Sequence, residues 1–223
     1  MVIDQVLVCR FCREVDAEAA RGGHANSRPI GQPQANQITL SVPESFQAGG
    51  PGWQMIMIPP DGNCLFGCFI VGKLCFLDRK QTLPEEPAAQ AQLVSKWAAA
   101  CRKHFVTLMH QRVERNIDDV PMAEVIRAST GMSTAEYLDR MSRPTVDRSS
   151  WGGFMEASIM AVKWRCRIVF FGWEPDQRRL RSWSHVGDDV NSAHRDRGRI
   201  AVAWTGTHFN LLVLDEGVLA RLP

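Results

Sequence analysis

The order of helical and strand patterns constrains this chain more than any other feature. Up to Trp164 the apolar residues recur at helical spacing, first over Leu65–Leu74 and then over a long stretch, Glu85–Arg115. From Arg167 onward they form short strand patterns, and the continuous apolar run Ile168–Phe171 is typical of a central strand. Helices first and strands clustered later predict an α+β fold, with a small, mainly antiparallel sheet packed between helices.

Composition shifts mark where the compact part of the chain begins. Glycine, proline, asparagine and glutamine dominate residues 22–36, and Ala48–Gly52 is a clear break before Trp53. We therefore predict three segments: a partly flexible N-terminal extension over residues 1–52, a compact domain over 53–216 and a C-terminal tail over 217–223.

Charge and cysteine content exclude several classes of partner. The formal net charge of +2 gives no strong field toward nucleic acid or membranes. No apolar run approaches the ~20 residues of a membrane span, and the first residues do not form a secretory signal. Seven scattered cysteines, an odd number, fit the reduced thiols of a cytosol better than a disulfide framework. We expect a monomer in the cytosol of a cell or of an infected host, without nucleic-acid or membrane partners.

A cysteine opens the first predicted helix. Pro59 and Pro60 stop a short extended lead-in, Asp61–Asn63 is turn chemistry, and Cys64 stands in the first helical turn. A thiol at a helix N-terminus meets free backbone N–H groups and the positive end of the helix dipole, which favour the thiolate. The same N–H groups can bind the oxyanion of a tetrahedral intermediate. The plainer alternative is a buried helix that happens to begin with cysteine.

A histidine and an asparagine lie two residues apart at the start of the last predicted strand. Side chains two apart point to the same face of a strand, so His208 and Asn210 share one face. An imidazole beside an amide can be held in one tautomer, as a base and its orienting group require. The alternative is a histidine on a half-exposed strand that bonds a neighbour. Together with Cys64 the pair forms a cysteine-protease pattern.

Three segments resemble the sequence boxes of the ovarian tumour (OTU) family of cysteine proteases. Asp61–Phe66 (DGNCLF) resembles the nucleophile box, Trp151–Glu156 (WGGFME) the middle box and Thr207–Leu212 (THFNLL) the terminal histidine box. They follow the family's order over roughly residues 53–215. The resemblance implies a papain-like thiol protease that hydrolyses the isopeptide bond after the C-terminus of ubiquitin.

The resemblance also implies roles for individual residues. Cys64 would be the nucleophile, His208 the general base and Asn210 the orienting third member. The family often has Asp at that third position, and Asn210 adds no charge to stabilise an imidazolium. The family often has a polar residue after Phe66, whereas Gly67 follows here.

The turn before the nucleophile completes the implied catalytic set. Asp61 would shape this turn, and the backbone amides of Gly62, Asn63 and Cys64 would supply the oxyanion pocket.

The implied substrate sets requirements for the binding surface. Ubiquitin ends in two glycines, so the channel should be narrow, with Trp151, Gly152 and Trp204 as candidate walls. Asp188 and Asp189 could meet the basic tail of ubiquitin. The plainer alternatives are core tryptophans and an exposed acidic loop. The expected partner is ubiquitin or polyubiquitin, and ubiquitin-like modifiers stay open as further substrates.

The first two cysteines have a spacing that also occurs in zinc sites. Cys9 and Cys12 have the spacing of half a zinc knuckle, but the other half would need His24 or more distant ligands. No second Cys-x-x-Cys exists, so we expect no metal and no cofactor.

Two rival functions use the same features. A non-catalytic ubiquitin-binding module could keep the fold, although a binder needs no aligned thiol and imidazole. A protease of the viral type could instead cut its own polyprotein with the same residues. The pairs Gly22-Gly23 and Gly49-Gly50 are candidate cleavage sites for that function, but both lie in predicted loops.

Overall fold

The computed structural model describes residues 39–41, 52–112, 116–117, 120–143, 151–174, 179–187 and 198–220. Its strands are β1 (Thr39–Ser41), β2 (Trp53–Ile56), β3 (Asn116–Ile117), β4 (Val120–Pro121), β5 (Arg167–Glu174), β6 (Arg179–Val186), β7 (Arg199–Trp204) and β8 (Phe209–Leu214). Its helices are α1 (Cys64–Val71), α2 (Pro87–Arg112), α3 (Met122–Thr130), α4 (Thr134–Ser142), α5 (Phe154–Trp164) and α6 (Glu216–Leu219), and a π-helical segment, Gly72–Leu77, continues α1.

The strands form one six-stranded sheet and a separate short pair. The sheet order is β1-β6-β5-β7-β8-β2, and β3 pairs with β4. Strands β5 and β7 run parallel, and the other neighbours in the sheet are antiparallel. The predicted α+β class with a mainly antiparallel sheet is therefore confirmed.

The central strand of the sheet is buried on both faces. Ile168 and Phe170 of β5 pack into the core on the helical side of the sheet. Val169 and Phe171 alternate with them and pack into a second cluster, which includes Val218 of α6. Burial on both faces explains why this strand has a continuous apolar run instead of an alternating one.

Helix α1 lies in the middle of the core. Seven of its eight residues are buried, and Ile70 is the partly exposed one. The Phe66 ring packs 6.2 Å from the Phe69 ring and 5.6 Å from the ring of Phe105 on α2, measured between centroids. A helix that is apolar all round has to be buried, and this burial fixes the position of its first residue, Cys64.

Local sequence signals set several element boundaries. Pro87 begins α2, as a proline at the first helical position allows. Ser133 caps α4 through a capping box, which the sequence Ser-Thr-Ala-Glu over residues 133–136 predicts: the Ser133 N–H donates to Glu136 Oε2 at 2.8 Å, and the Glu136 N–H donates back to Ser133 Oγ.

The three predicted segments of the chain stay predictions. Strand β1 lies within the predicted extension and pairs with β6, with Thr39 opposite Arg181. Val2–Phe11, whose apolar pattern also predicts a strand, and the composition-biased stretch over residues 22–36 lie outside the described residues. Among the helices that are described, none has the length and apolar content needed to cross a membrane.

Candidate active site

Cys64 is the first residue of α1 and is almost fully enclosed. Its exposed fraction is 5 %. The helix starts because the Gly67 N–H donates to the Asn63 carbonyl at 2.8 Å, directly after the turn that follows Pro60. The Cys64 thiol therefore lies at a helix N-terminus, as the sequence predicted.

The surroundings of the thiol oppose ionisation more than they favour it. Burial raises the pKa of Cys64 above its ordinary value of 9.0, although the backbone N–H groups of Phe209 and Leu65 hydrogen-bond the sulfur and lower it. The Asp61 carboxylate raises the pKa further. The expectation that the helix N-terminus favours the thiolate is thus right in direction but is outweighed by desolvation.

The turn before Cys64 is held by its own side chain. Asp61 Oδ1 accepts a hydrogen bond from the Asn63 N–H at 2.9 Å. Gly62 has a φ of +80°, a conformation that a residue with a Cβ rarely adopts. Because Asp61 engages the Asn63 amide, the predicted oxyanion pocket has the Gly62 and Cys64 amides as its remaining donors.

His208 sits at the end of the turn between β7 and β8. The Thr205 N–H donates to the His208 carbonyl at 3.0 Å, and Gly206 has a φ of +98°, so a glycine-containing hairpin turn joins β7 to β8. His208 Nε2 lies 2.8 Å from the carbonyl oxygen of Ile58. A carbonyl only accepts, so this contact assigns the ring proton to Nε2 and leaves Nδ1 as an acceptor.

The Asn210 side chain hydrogen-bonds the backbone of Ile58, whereas the sequence predicted that it would orient the His208 ring itself. Its exposed fraction is 2 %, and its Oδ1 accepts from the Ile58 N–H at 3.0 Å. Asn210 and His208 therefore hold opposite ends of Ile58, as their shared strand face allows. The ring is oriented by the Ile58 carbonyl, and Asn210 fixes the residue that carries this carbonyl.

Ile58 is thus a site residue that sequence reasoning missed. A backbone carbonyl has no sequence signature of its own. The one signal was Pro59, because the residue before a proline is extended and cannot continue into a helix.

The pairing of β2 with β8 brings two distant parts of the chain together at the site. Strand β2 pairs with β8, with Ile56 opposite Leu211, and this pairing places Ile58 beside the start of β8. The backbone of Phe209, the residue after His208, hydrogen-bonds the Cys64 sulfur. Cys64, Ile58, His208 and Asn210 accordingly form one site, although they come from distant parts of the sequence.

The middle box packs against the nucleophile helix. A Cβ on Gly152 would lie 3.2 Å from Leu65 Cδ2 and 3.2 Å from Phe66 Cε2, so the backbone approaches α1 closely there. Phe154 stacks on Phe170 with centroids 4.5 Å apart. Gly152 is buried, which makes it a packing residue in this structure; a substrate contact for it stays a prediction.

The remaining predicted contacts have varied outcomes. Trp151 and Trp204 are half-buried, and Trp204 pairs with Phe209 across the β7–β8 ladder. Asp188 and Asp189 lie outside the described residues.

The described side chains form no cluster of metal ligands. In that part of the chain, no group of three or more His, Cys, Asp or Glu side chains could hold a metal ion. The half zinc knuckle Cys9–Cys12 and His24 are outside it. Cys64, Cys68 and Cys75, together with the buried Cys101 and Cys166, are free thiols.

Comparison with known proteins gave structural matches alone. No family model and no curated protein sequence matches this chain. The Hazara virus OTU bound to ubiquitin is 17 % identical with a TM-score of 0.46, over 82 % of this chain and 92 % of that one. The viral OTU domain protease from Dera Ghazi Khan virus is 15 % identical with a TM-score of 0.49, over 83 % and 95 %.

A third solved structure, an OTU domain in complex with ubiquitin, is 14 % identical with a TM-score of 0.47, over 80 % of this chain and 77 % of that one. All three are OTU domains, the family whose boxes this sequence resembles. At such identities and TM-scores the matches give no information on the reaction or the site residues of this chain.

Proposed function

We propose that this chain is a cysteine hydrolase that cleaves the peptide or isopeptide bond after the C-terminal glycine of ubiquitin, through a thioester on Cys64. The observation that carries the proposal is one arrangement: the backbone of Phe209 contacts the Cys64 thiol at a helix N-terminus, and the preceding residue, His208, has its Nε2 held by the Ile58 carbonyl at 2.8 Å. Ubiquitin as the substrate rests on the resemblance of the three sequence boxes.

Proton transfer would begin at Nδ1 of His208. With the ring proton on Nε2, Nδ1 is free to take the proton of the Cys64 thiol. Because burial keeps the pKa of Cys64 high, the thiol of the free protein stays protonated and needs this base when substrate arrives. The sulfur then attacks the carbonyl carbon of the terminal glycine.

The tetrahedral intermediate would be held by backbone amides. Gly62 and Cys64 supply the donors, and each well-placed donor is worth ~3 kcal/mol in the transition state. As the intermediate collapses, His208 gives the proton to the departing amine, and the C–N bond breaks. His208 then activates a water that hydrolyses the thioester and restores the Cys64 thiol.

A non-catalytic ubiquitin-binding module is the second candidate, and one observation favours it. The thiol is enclosed, and its pKa is raised by burial. A module that only binds ubiquitin has no need to ionise Cys64. Turnover separates the two functions. A cytosolic location and a monomeric state stay parts of the proposal.

The test is cleavage of a fluorogenic amide at the C-terminus of ubiquitin. Wild-type protein should release the fluorophore, and Cys64→Ala and His208→Gln should each lose at least ~10³-fold in rate. Cys68→Ala is the matched control, because Cys68 is a buried thiol one helical turn after Cys64. It should keep wild-type turnover. A folded wild-type protein that binds ubiquitin without turnover would favour the module.

A further inference from the structure

An arginine is buried directly beneath the turn that precedes Cys64. Arg102 of α2 has an exposed fraction of 2 %. Its Nη2 donates to the Gly62 carbonyl at 2.5 Å, and its guanidinium carbon lies 5.0 Å from the centroid of the Phe66 ring. Arginine is almost never buried to this degree unless it is paired.

A buried carboxylate provides the nearby countercharge. Glu156 of α5 is also buried; it accepts from the Gly153 N–H at 2.5 Å and from the Tyr137 hydroxyl. Burial lowers the pKa of Arg102, and the Glu156 carboxylate acts in the opposite direction. Burial and the same carboxylate hold the pKa of Tyr137 well above its ordinary value, so Tyr137 stays a neutral donor.

This arrangement is costly for the fold. Among the described residues, Arg102 Nε and Nη1 have no hydrogen-bond partner. Burying a guanidinium with donors unpaired costs free energy, and apolar residues in place of buried ion pairs are often neutral or stabilising. A stabilising role alone therefore does not explain why an arginine stands at position 102. Its hydrogen bond to the backbone is made to the Gly62 carbonyl, which suggests a role in the turn before Cys64.

That carbonyl belongs to a peptide group that is held at both ends. The Gly62 carbonyl and the Asn63 N–H are parts of one planar unit. Arg102 Nη2 donates to the Gly62 carbonyl oxygen at 2.5 Å, and Asp61 Oδ1 accepts from the Asn63 N–H at 2.9 Å. Glycine at position 62, with φ at +80°, leaves this peptide free to rotate unless both ends are held.

We propose that Arg102 is a positioning residue: it fixes the Gly62–Asn63 peptide and thereby aims the amides of the turn at the oxyanion. This inference rests on the proposed function. A Gly62 carbonyl that rotated toward Cys64 would bring partial negative charge to the place where the oxyanion forms. Arg102 touches neither the substrate nor the sulfur in this account, and it acts through the backbone.

Some reactions of Cys64 need the oxyanion pocket, and others do not. Alkylation of Cys64 by iodoacetamide is a displacement at an sp³ carbon and forms no oxyanion. Hydrolysis of the ubiquitin amide forms one. Replacing Arg102 by lysine, which keeps the positive charge that acts on Cys64, should therefore lower kcat of hydrolysis while KM and the pH profile of alkylation stay near the wild-type values.

The experiment compares Arg102→Gln and Arg102→Lys with Leu108→Ala. Leu108 is a buried residue of the same helix, six positions after Arg102, so its truncation controls for lost stability. We expect kcat to fall about 10- to 100-fold in Arg102→Gln and about 3- to 10-fold in Arg102→Lys, which keeps a donor but not the planar fork. Leu108→Ala should lower the melting temperature and keep kcat.

The kcat values and alkylation rates of these variants decide whether Arg102 positions the turn. If both Arg102 variants keep wild-type kcat, or if their kcat falls only as far as that of Leu108→Ala, the inference is wrong and the proposed function stands. A parallel loss of alkylation rate in Arg102→Lys would also overturn it, because the thiol itself would then be displaced. Should Arg102→Gln not fold, Arg102→Lys decides by the same criterion. Absence of turnover in the wild-type protein would overturn the proposed function, and this inference with it.

Discussion

Adding one methyl group at Gly67 should disturb catalysis without touching any catalytic side chain. A Cβ at this position would lie 2.6 Å from Ile58 Cγ2, and the other nearest atoms belong to Val94 and Ala98 at 3.6 and 3.7 Å. Glycine thus allows α1 to approach Ile58, the residue whose carbonyl orients His208. Gly67→Ala should push Ile58 away from α1 and shift that carbonyl.

The expected size of the effect follows from the contact distances. Ordinary contact begins at 3.4 Å, so the new methyl is about 0.8 Å too close to Ile58 Cγ2. Ile58 is 3 % exposed, so its side chain has no open space to turn into. Overpacking costs about 1–3 kcal/mol, and alanine for glycine in a helix returns about 1 kcal/mol. A misplacement of ~1 Å can cost up to ~10²-fold in rate, so we expect kcat to fall about 10-fold.

Gly72→Ala is the matched control. A Cβ at Gly72 would lie 2.8 Å from Ile200 Cγ2, a similar clash with a buried isoleucine just beyond the end of α1. Ile200 belongs to β7, whereas the carbonyl that orients the His208 ring belongs to Ile58. Both variants should lose similar amounts of unfolding free energy in urea titration, but only Gly67→Ala should lose kcat in the ubiquitin amide assay. Equal kcat in the two variants would refute the role given to Ile58.

Three further predictions concern single groups. Asn210→Ala leaves the buried Ile58 N–H unpaired, so it should lower the free energy of unfolding in urea by about 1–3 kcal/mol and also lower kcat. Asn210→Asp keeps an acceptor oxygen and should retain more activity. Equal kcat values in the two variants would contradict the role given to Asn210. Alkylation of Cys64 should speed up with pH through a value above 9, because burial raises its pKa from 9.0; a rate already constant at neutral pH would oppose this. The pKa of buried Cys101 is raised from 9.0 to about 12, so the folded state binds this proton more tightly and loses stability as pH rises from 9 toward 12. Between about pH 8 and about pH 10.5, wild type should therefore lose about 2 kcal/mol more than Cys101→Val in urea unfolding, and equal losses would contradict the raised pKa.

Much of the fold could be predicted because its signals are local. The turn chemistry before Cys64, the proline at the start of α2 and the serine cap of α4 each specify a boundary through a nearby side chain. The apolar run of β5 predicted a central strand, since burial on both faces removes the usual alternation. The long helix extends over Pro87–Arg112, and the last part of the predicted helix, residues 113–115, lies outside the described residues.

The parts of the site that were missed depend on burial and on backbone atoms. The partner of His208 is a main-chain carbonyl, which any residue could supply. The high pKa of Cys64 follows from enclosure by the core, and a pattern at a helix N-terminus does not reveal that enclosure.

Arg102 was missed because it stands in a polar stretch, Arg102–His104, that is typical of a solvent-exposed helix face. A signal was nevertheless present. Ala98 lies four residues before Arg102, and Phe105 lies three residues after it, so Arg102 shares the apolar stripe of α2.

Covalent capture of Cys64 by ubiquitin tests the central claim most directly. The protein is mixed with ubiquitin that carries an electrophile at its C-terminus, and the product is identified by intact mass and peptide mapping. We expect one ubiquitin adduct, located on Cys64 and absent in Cys64→Ala, while the more exposed thiol of Cys75 stays unmodified. A folded wild-type protein that forms no adduct, or forms it on another cysteine, would contradict the claim that Cys64 is the nucleophile.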